Sequence, residues 1–334
     1  MAMPQSMKGN EALVYKFNKA RNRTVDWAWK LLVYVLVTGI SFVILYPLVR
    51  RISMAVKDPV DIYNPTIYMV PVHFTLDNLK QAMEILNYWP MLGNTIVFVA
   101  VMTLLQAVSC ALAGYGFARF AFPGSNVLFV LVVLTIMVPM NTLMVPMYLH
   151  FRSFDVLGLV GLFSGKEGVN LLNTYWPSII TSALANGLKS GLYIYIFRQF
   201  FKGLPKEIEE AALIDGAGAY YTFLRIMMPN AVPALMTVML FAFVWQYNDT
   251  FYASLFMSDS ALMSIKVASL PADANQYLPT LLGFGSGSEM RADPNHVAMI
   301  VDTGILLAIA PPIVMYLFVQ RYFVESVERT GVVG

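Results

Sequence analysis

Charge is what this 334-residue chain has least of. Asp, Glu, Lys and Arg make up 13% of it, against about 25% in soluble globular proteins. Apolar residues make up 58%, and mean hydropathy is +0.62. This balance excludes an ordinary water-soluble domain and places most of the chain in lipid. Cysteine is almost absent. Cys110 stands alone, which excludes an intrachain disulfide, and its apolar surroundings in the sequence mark it as a small packing residue. His73, His150 and His296 are the only histidines. They are scattered, with no His-Glu-x-x-His and no clustered ligands, so no metal site is expected. No Gly-x-Ser-x-Gly elbow occurs. Gly161 to Glu167 falls short of a nucleotide-binding loop, with one residue too few between its glycines and no Ser or Thr after Lys166. No catalytic residues are therefore assigned. The net charge of +2 is too small to argue for nucleic acid. Internal repeats and low-complexity tracts are also missing. No cleavable signal peptide is expected, because the first apolar run begins near Leu31, after a polar tail, and is long enough to span.

Long hydrophobic runs are what the chain does have. A bilayer core of roughly 30 Å needs about 20 mainly apolar residues. Six runs qualify: 31–49, 92–117, 126–147, 175–197, 231–256 and 297–319. The expectation is an all-α membrane protein with six transmembrane helices. A tail over 1–30 precedes the membrane domain 31–319, and a tail over 320–334 follows it. Pro139 and Pro146 interrupt the third run and Pro311-Pro312 the last, so kinks are expected there. The fourth run is the least regular, because it carries Asn186 and Lys189. Lys and Arg bias sets orientation. With the N-terminus inside, 13 of them fall on the inner side and eight on the outer, with Arg50-Arg51 a local exception. Both termini are therefore expected in the cytoplasm. Trp27, Trp29 and Tyr34 would anchor the inner interface, and the basic N-terminal tail would lie along it as a surface helix. The outer loops, about 50–90, 148–174 and 257–296, are long and rich in Pro, Asn, Asp and aromatics, which suits a surface that docks another protein.

The inner loop 198–230 carries the sharpest signal. Gly203-Leu204-Pro205 reads as a turn, with Pro205 placed as a first helical residue. Lys206 to Ile214 then reads as a helix, with Glu207, Glu209 and Glu210 loading its N-terminal half. Ala211 and Ala212 favour the helix, and Gly216 and Gly218 end it. A second helix over about 219–228 stops at Pro229. Two short helices at an angle make a knuckle. Its small alanines allow close approach, Leu213 and Ile214 are apolar knobs, and a glutamate beside them can meet an arginine of a partner.

This segment resembles the EAA loop of ABC importer permeases, whose pattern is Glu-Ala-Ala, three residues, Gly, nine residues, Ile, one residue, Leu-Pro. Glu210, Ala211, Ala212, Gly216, Ile226 and Pro229 match in register, and Met228 replaces Leu. Six fixed residues in register occur by chance on the order of once in 10⁷ start points at average composition. Further stretches resemble carbohydrate importer permeases of the maltose (MalG-like) type within the binding-protein-dependent transport inner membrane components. These are Ala113 to Gly124, Met137-Val138-Pro139, Met144 to Tyr148, Arg198 to Phe201, Trp245 to Asp249 and Gln320 to Glu325. The resemblance covers about 25–334, and 160–173 looks like an insertion. It implies the type I importer permease fold in a bacterial or archaeal cell (inner) membrane. It implies a second, different permease, two copies of an ATPase gripping the EAA loops, and an external solute-binding protein that delivers a carbohydrate. This chain would bind no cofactor, and ATP and Mg would be held by the ATPases. Glu210, Ala211, Ala212, Leu213, Gly216, Ile226 and Pro229 would form the coupling contact. The tail from Thr330 to Gly334 would reach the ATPases.

Polar groups inside spans face a water-filled cavity or another helix. Asn186, Lys189, Trp245, Tyr247, Asn248 and Asp249 are the leading candidates for the solute path, beside Gln106, Gln246 and Tyr252, with helix-to-helix hydrogen bonding the competing reading for each polar residue. Lys189 lies about 13 Å along a helix from Arg198. It would either contact an anionic or hydroxyl-rich solute or pair with Asp249. An oligosaccharide is the expected cargo. A phosphorylated polyol or acidic sugar is the alternative that Lys189 raises. An ion-coupled secondary transporter is a remote one, raised by Lys189, Asp249 and the broken spans.

Overall fold

A computed structural model describes residues 9–156, 158, 168–258, 262–281 and 292–331, with backbone alone for 9–23 and 321–331. Among these residues regular structure is helical, and the extended pairing consists of two isolated bridges, Lys57 with Phe74 and Phe154 with Val169. The chain divides into two units, at Thr75 and Leu76.

In the first unit, helix α1 runs over Gly9–Val56 without a break. Nothing at Lys30-Leu31 interrupts the backbone, so the end of the tail expected over 1–30 and the first apolar run share one helix. Its apolar side chains, from Leu31 to Val49, are mostly bare, as a lipid-facing helix requires. Asp58 caps the short helix α2, Pro59–Ile62, by accepting from Val60 N. The chain then folds back on itself. Buried Asp61 accepts from the backbone N–H of Val72 at 2.7 Å and of His73 at 2.8 Å, and His73 Nδ1 lies 2.6 Å from Asp61 Oδ1. Buried Lys57 donates to the carbonyl of Tyr68 at 3.0 Å. The bond to Asp61 and its charge push the His73 imidazole above its ordinary pKa. Burial pulls the Asp61 carboxyl up, but the bonds from His73 and Val72 outweigh it and leave it below the ordinary value.

The second unit contains the remaining helices. Helix α3, Asp77–Leu86, ends at Asn87, which adopts a left-handed φ of 47° and starts α4, Tyr88–Arg119. Asn is among the few residues that take this conformation readily. Helices α5, Ser125–Thr135, and α6, Met140–Arg152, meet at 102°. Pro139, without an N–H and restricting its predecessor, breaks the expected single span 126–147. The expected span 175–197 is also two pieces, α7, Trp176–Ala183, and α8, Ser190–Gly203. Residues 184–189 between them are irregular, with Ala185 at φ 54° and Lys189 at φ 61°. The knuckle follows, with α9, Glu207–Ile214, and α10, Ala219–Asn230. Pro205 lies two residues ahead of α9 rather than within it. Helix α10 continues past Pro229 and is wound as a π-helix over Thr222–Met227. It bends by 79° into α11, Val232–Tyr247. Helix α12 is Phe251–Phe256. The expected outer loop 257–296 holds a 19-residue helix, α13, Met263–Leu281. The last helix, α14, Pro294–Gly331, takes in both Pro311 and Pro312.

Among the described residues, three helices are long and apolar enough to cross a membrane: Thr24–Val56, Tyr88–Arg119 and Pro294–Gln320. Counting each bent pair, α5 with α6 and α10 with α11, as one span gives five. The 160–167 part of the expected insertion, which includes the whole Gly161 to Glu167 stretch, and 259–261 and 282–291 of the last outer loop lie outside the described residues, as do 332–334.

Two apolar cores hold the second unit. One gathers Leu86, Tyr88, Val99, Met102, Phe151, Phe256, Leu270 and Ile300. The other gathers Cys110, Tyr115, Tyr193, Phe197, Phe201, Phe223 and Met227, so it fastens α10 to α4 and α8. Helices α4 and α8 cross closely at Gly114, where a Cβ would stand 2.5 Å from Phe197 Cβ. Only glycine lets α4 and α8 approach this closely.

Candidate functional site

Two features stand out, the knuckle α9–α10 and a cavity with a few polar groups at the break between α7 and α8. In the knuckle, Glu207, Glu209 and Glu210 fill the first turn of α9, where the helix dipole favours negative charge. Gly216 ends the helix at φ 81°. Ala217 N–H bonds Ala212 O at 2.9 Å and Gly216 N–H bonds Leu213 O at 3.0 Å, the paired bonds of a Schellman terminus. Ala212 is buried. Leu213 and Ile214 are 62% and 86% exposed, and Tyr220, Tyr221 and Leu224 of α10 are bare as well. The apolar side of α10, Phe223 and Met227, is turned into the core beside Tyr115 and Phe201. The knuckle is thus anchored by one face and leaves an apolar face unfilled.

The three glutamates differ in a way their spacing did not reveal. Glu209 turns inward, its Oε2 lying 3.3 Å from Arg119 Nε, with both side chains largely buried. Arg119 also donates to the Leu204 carbonyl at 2.8 Å. Glu210 is exposed, as are Ala211 and Pro229, while Ile226 is half-buried. Ile226 O accepts from Asn230 Nδ2 at 2.7 Å. Arg119 was visible in the sequence only as a basic residue ending an apolar run, and nothing in the pattern linked it to Glu209.

The six solute-path candidates separate. Asn186 lines two adjoining openings. The first, of only about 20 Å³, is also lined by Ser178, Gln246, Asp249 and Tyr252. The second, of about 600 Å³, is lined by Thr135, Met147, Lys189, Ser190 and Tyr252. Lys189 does not pair with Asp249. Its ammonium sits 4.9 Å from the centroid of the Trp245 ring, a cation–π contact. Asp249 instead accepts from the N–H groups of Phe251, Tyr252 and Ala253, so its carboxylate is spent on starting α12. Asn248 is exposed and donates to Val244 O at 2.8 Å. Tyr247 leaves the group: it is 4% exposed and donates to Ala308 O at 2.7 Å, so it ties α11 to α14. The break itself is held from behind by Gln106, fully buried, whose Nε2 donates to Leu188 O at 2.6 Å and Ser190 Oγ at 2.8 Å. Gln246 Nε2 donates to Gln106 Oε1 at 3.3 Å. Residues 184–189 all line the larger opening, and Leu188 is buried behind it.

The family model described as binding-protein-dependent transport system inner membrane component matches residues 110–329, a stretch that includes the knuckle and the cavity. The chain belongs to this family. It is therefore an ABC transporter permease component and a multi-pass membrane protein. The arabinooligosaccharides transport system permease protein AraQ of Halalkalibacterium halodurans is 26% identical over 88% of this chain and 93% of its own length. The osmoprotective compounds uptake permease protein GgtD of Synechocystis is 27% identical over 94% and 96%. The maltodextrin transport system permease protein MdxG of Bacillus subtilis is 26% identical over 91% and 96%. Among solved structures, a chain of a bacterial ABC transporter that imports the acidic polysaccharide alginate superposes with a TM-score of 0.68. It covers 90% of this chain and 98% of its own, at 20% identity, and so matches in fold.

Proposed function

We propose that this chain is one permease subunit of an ATP-driven importer that moves a carbohydrate, an oligosaccharide in the first instance, across a bacterial or archaeal inner membrane. The reading assigns it six membrane crossings with both termini in the cytoplasm, the broken α7–α8 segment being the sixth. It pairs with a second, different permease. Two ATPase subunits bind ATP and Mg and grip the knuckles, and an external solute-binding protein delivers the cargo. The observation that carries this reading is the knuckle. In a family member, Leu213 and Ile214 stand bare on a helix pinned from beneath, and each is worth about 1.5–3 kcal/mol if a partner buries it. The names of AraQ and MdxG support carbohydrate as the cargo.

The mechanism then needs differential binding. ATP and the loaded binding protein must both favour the outward-open state over the inward-open one. Glu210, Ala211, Ala212, Leu213 and Gly216 form the docking helix, and α10 through Ile226 and Pro229 carries its displacement into α11. Asn186, Lys189 and Trp245 face the path of the solute. Leu213→Asp with Ile214→Asp tests the docking role. Both positions are exposed, so the permease still inserts and folds, while ATPase copurification and solute uptake are lost. Undiminished copurification and uptake would refute it.

A second reading rests on Lys189. Its charge lines the larger opening and meets an aromatic ring rather than the Asp249 carboxylate, an arrangement that suits a phosphorylated polyol or acidic sugar.

A further inference from the structure

From the Arg119–Glu209 ion pair we infer that α4 is a second drive shaft, carrying displacement of the docking helix to the solute cavity in parallel with α10 and α11. Arg119 and Glu209 are its positioning residues at one end, and Gln106 at the other. The inference rests on the proposed docking role of α9.

Three observations place the shaft. First, Arg119 is the last residue of α4 and holds both Glu209 in α9 and the Leu204 carbonyl just before it. The side chains of the pair are only 6% and 16% exposed. Exposed ion pairs contribute little, whereas removing one member of a buried pair leaves a charge without its counterion, and this is strongly unfavourable. The docking helix therefore cannot shift freely past the end of α4. Second, α4 is one continuous helix between Gln106 and Arg119, a run of about 20 Å at helical rise, with no proline to absorb a displacement. Third, the far end of that run is tied to the cavity wall. Gln106 grips Leu188 O and Ser190 Oγ, on either side of Lys189, and Ser190 itself lines the larger opening. A shift of α9 thus has a stiff route to the irregular segment 184–189. That segment, lacking a helical ladder of its own, is the compliant part that can move.

The division of labour among the glutamates follows. Glu210 faces outward, toward the proposed partner. Glu209, one residue earlier, faces inward and fixes the docking helix to the membrane domain. Losing Glu209 would leave partner binding intact and uncouple its consequences.

Access to the cavity tests this. Cys110 is fully buried, so Asn186→Cys supplies the reactive thiol in the assembled complex purified with its own ATPase subunits. Modification by a membrane-impermeant thiosulfonate reagent is timed with and without Mg-ATP plus vanadate. In this background the nucleotide is expected to change the rate by the about 5–150-fold typical of coupled sites. Arg119→Ala and Glu209→Gln should each retain ATPase subunits and basal hydrolysis, yet reduce that change to about twofold or less. Arg119→Lys should keep part of it, and the exchanged pair Arg119→Glu with Glu209→Arg should restore most of it. Gln106→Leu should act like the single charge variants. A full response in Arg119→Ala or Glu209→Gln would overturn the inference. So would an exchanged pair that assembles but responds no better than either single change. If the parent complex carries ATPase subunits but shows no nucleotide response at Asn186→Cys, the shaft is refuted while docking stands. If no ATPase copurifies, the docking reading falls, and the shaft with it.

Discussion

Gly114 and Gly116 lie two residues apart in α4, and the structure separates them sharply. A Cβ on Gly114 would stand 2.5 Å from Phe197 Cβ, 3.0 Å from Arg198 N and 3.1 Å from Ile194 O. Carbon atoms in ordinary contact sit at about 3.5–4 Å, so Gly114→Ala must force α4 and α8 apart by about 1 Å. None of the three atoms is the far end of a flexible side chain. A Cβ on Gly116 meets nothing within 4 Å. Both substitutions gain the same intrinsic helix preference, about 0.8–1 kcal/mol, and the gain cancels when the two variants are compared. What remains is the overpacking at Gly114, about 1–3 kcal/mol, or about 5- to 160-fold in the folding equilibrium. Unfolding of the purified permease by sodium dodecyl sulfate in mixed micelles, followed by tryptophan fluorescence, measures the difference. Gly114→Ala should unfold at distinctly lower detergent fraction than Gly116→Ala. Equal midpoints, or a more stable Gly114→Ala, would refute the claim that α4 and α8 are in backbone contact there.

Gly216→Val should cost about 1–2 kcal/mol, because a branched residue is forced into the left-handed region, but only locally, since the site is otherwise open. Amide exchange at Ala217 should accelerate, and the global unfolding midpoint should fall by no more than that cost. The His73–Asp61 clasp should be strongest between about pH 4 and 6.5. With the His73 pKa raised, its contribution is whole below the ordinary histidine value and fades as pH rises through the raised one. With the Asp61 pKa lowered, its contribution is whole above the ordinary carboxylate value and fades as pH falls through the lowered one. Exchange protection of the Val72 and His73 amides, corrected for intrinsic rates, should peak in that window, and His73→Ala should remove the loss on the alkaline side. Lys189→Ala should reduce uptake of an anionic sugar by about tenfold or more, the worth of one charged hydrogen bond, and leave a neutral sugar near its original rate. Equal losses for both would dismiss the anion argument.

The sequence alone determined what depends on composition and short-range order. Low charge and long apolar runs announced a membrane protein, because a bilayer punishes every charge and every broken backbone bond. The Glu210 to Pro229 register announced the family, and the end of its docking helix at Gly216 was readable because a glycine C-terminus is a local property. Tertiary structure decided whatever hinged on which distant groups meet. Lys189 and Asp249 are both polar residues in apolar runs, and the sequence could pair them freely. In the fold, Asp249 is taken by the backbone amides just after it and Lys189 by Trp245. Tyr247 looked like a cavity aromatic until the position of Ala308 turned it into a brace. Segment 184–189 was read as membrane helix because its neighbours are apolar, yet its break rests on Gln106, some eighty residues earlier. Glu209 and Glu210 are adjacent and chemically identical. Which one faces inward is set by where Arg119 ends its helix, and only the folded chain brings that residue within reach.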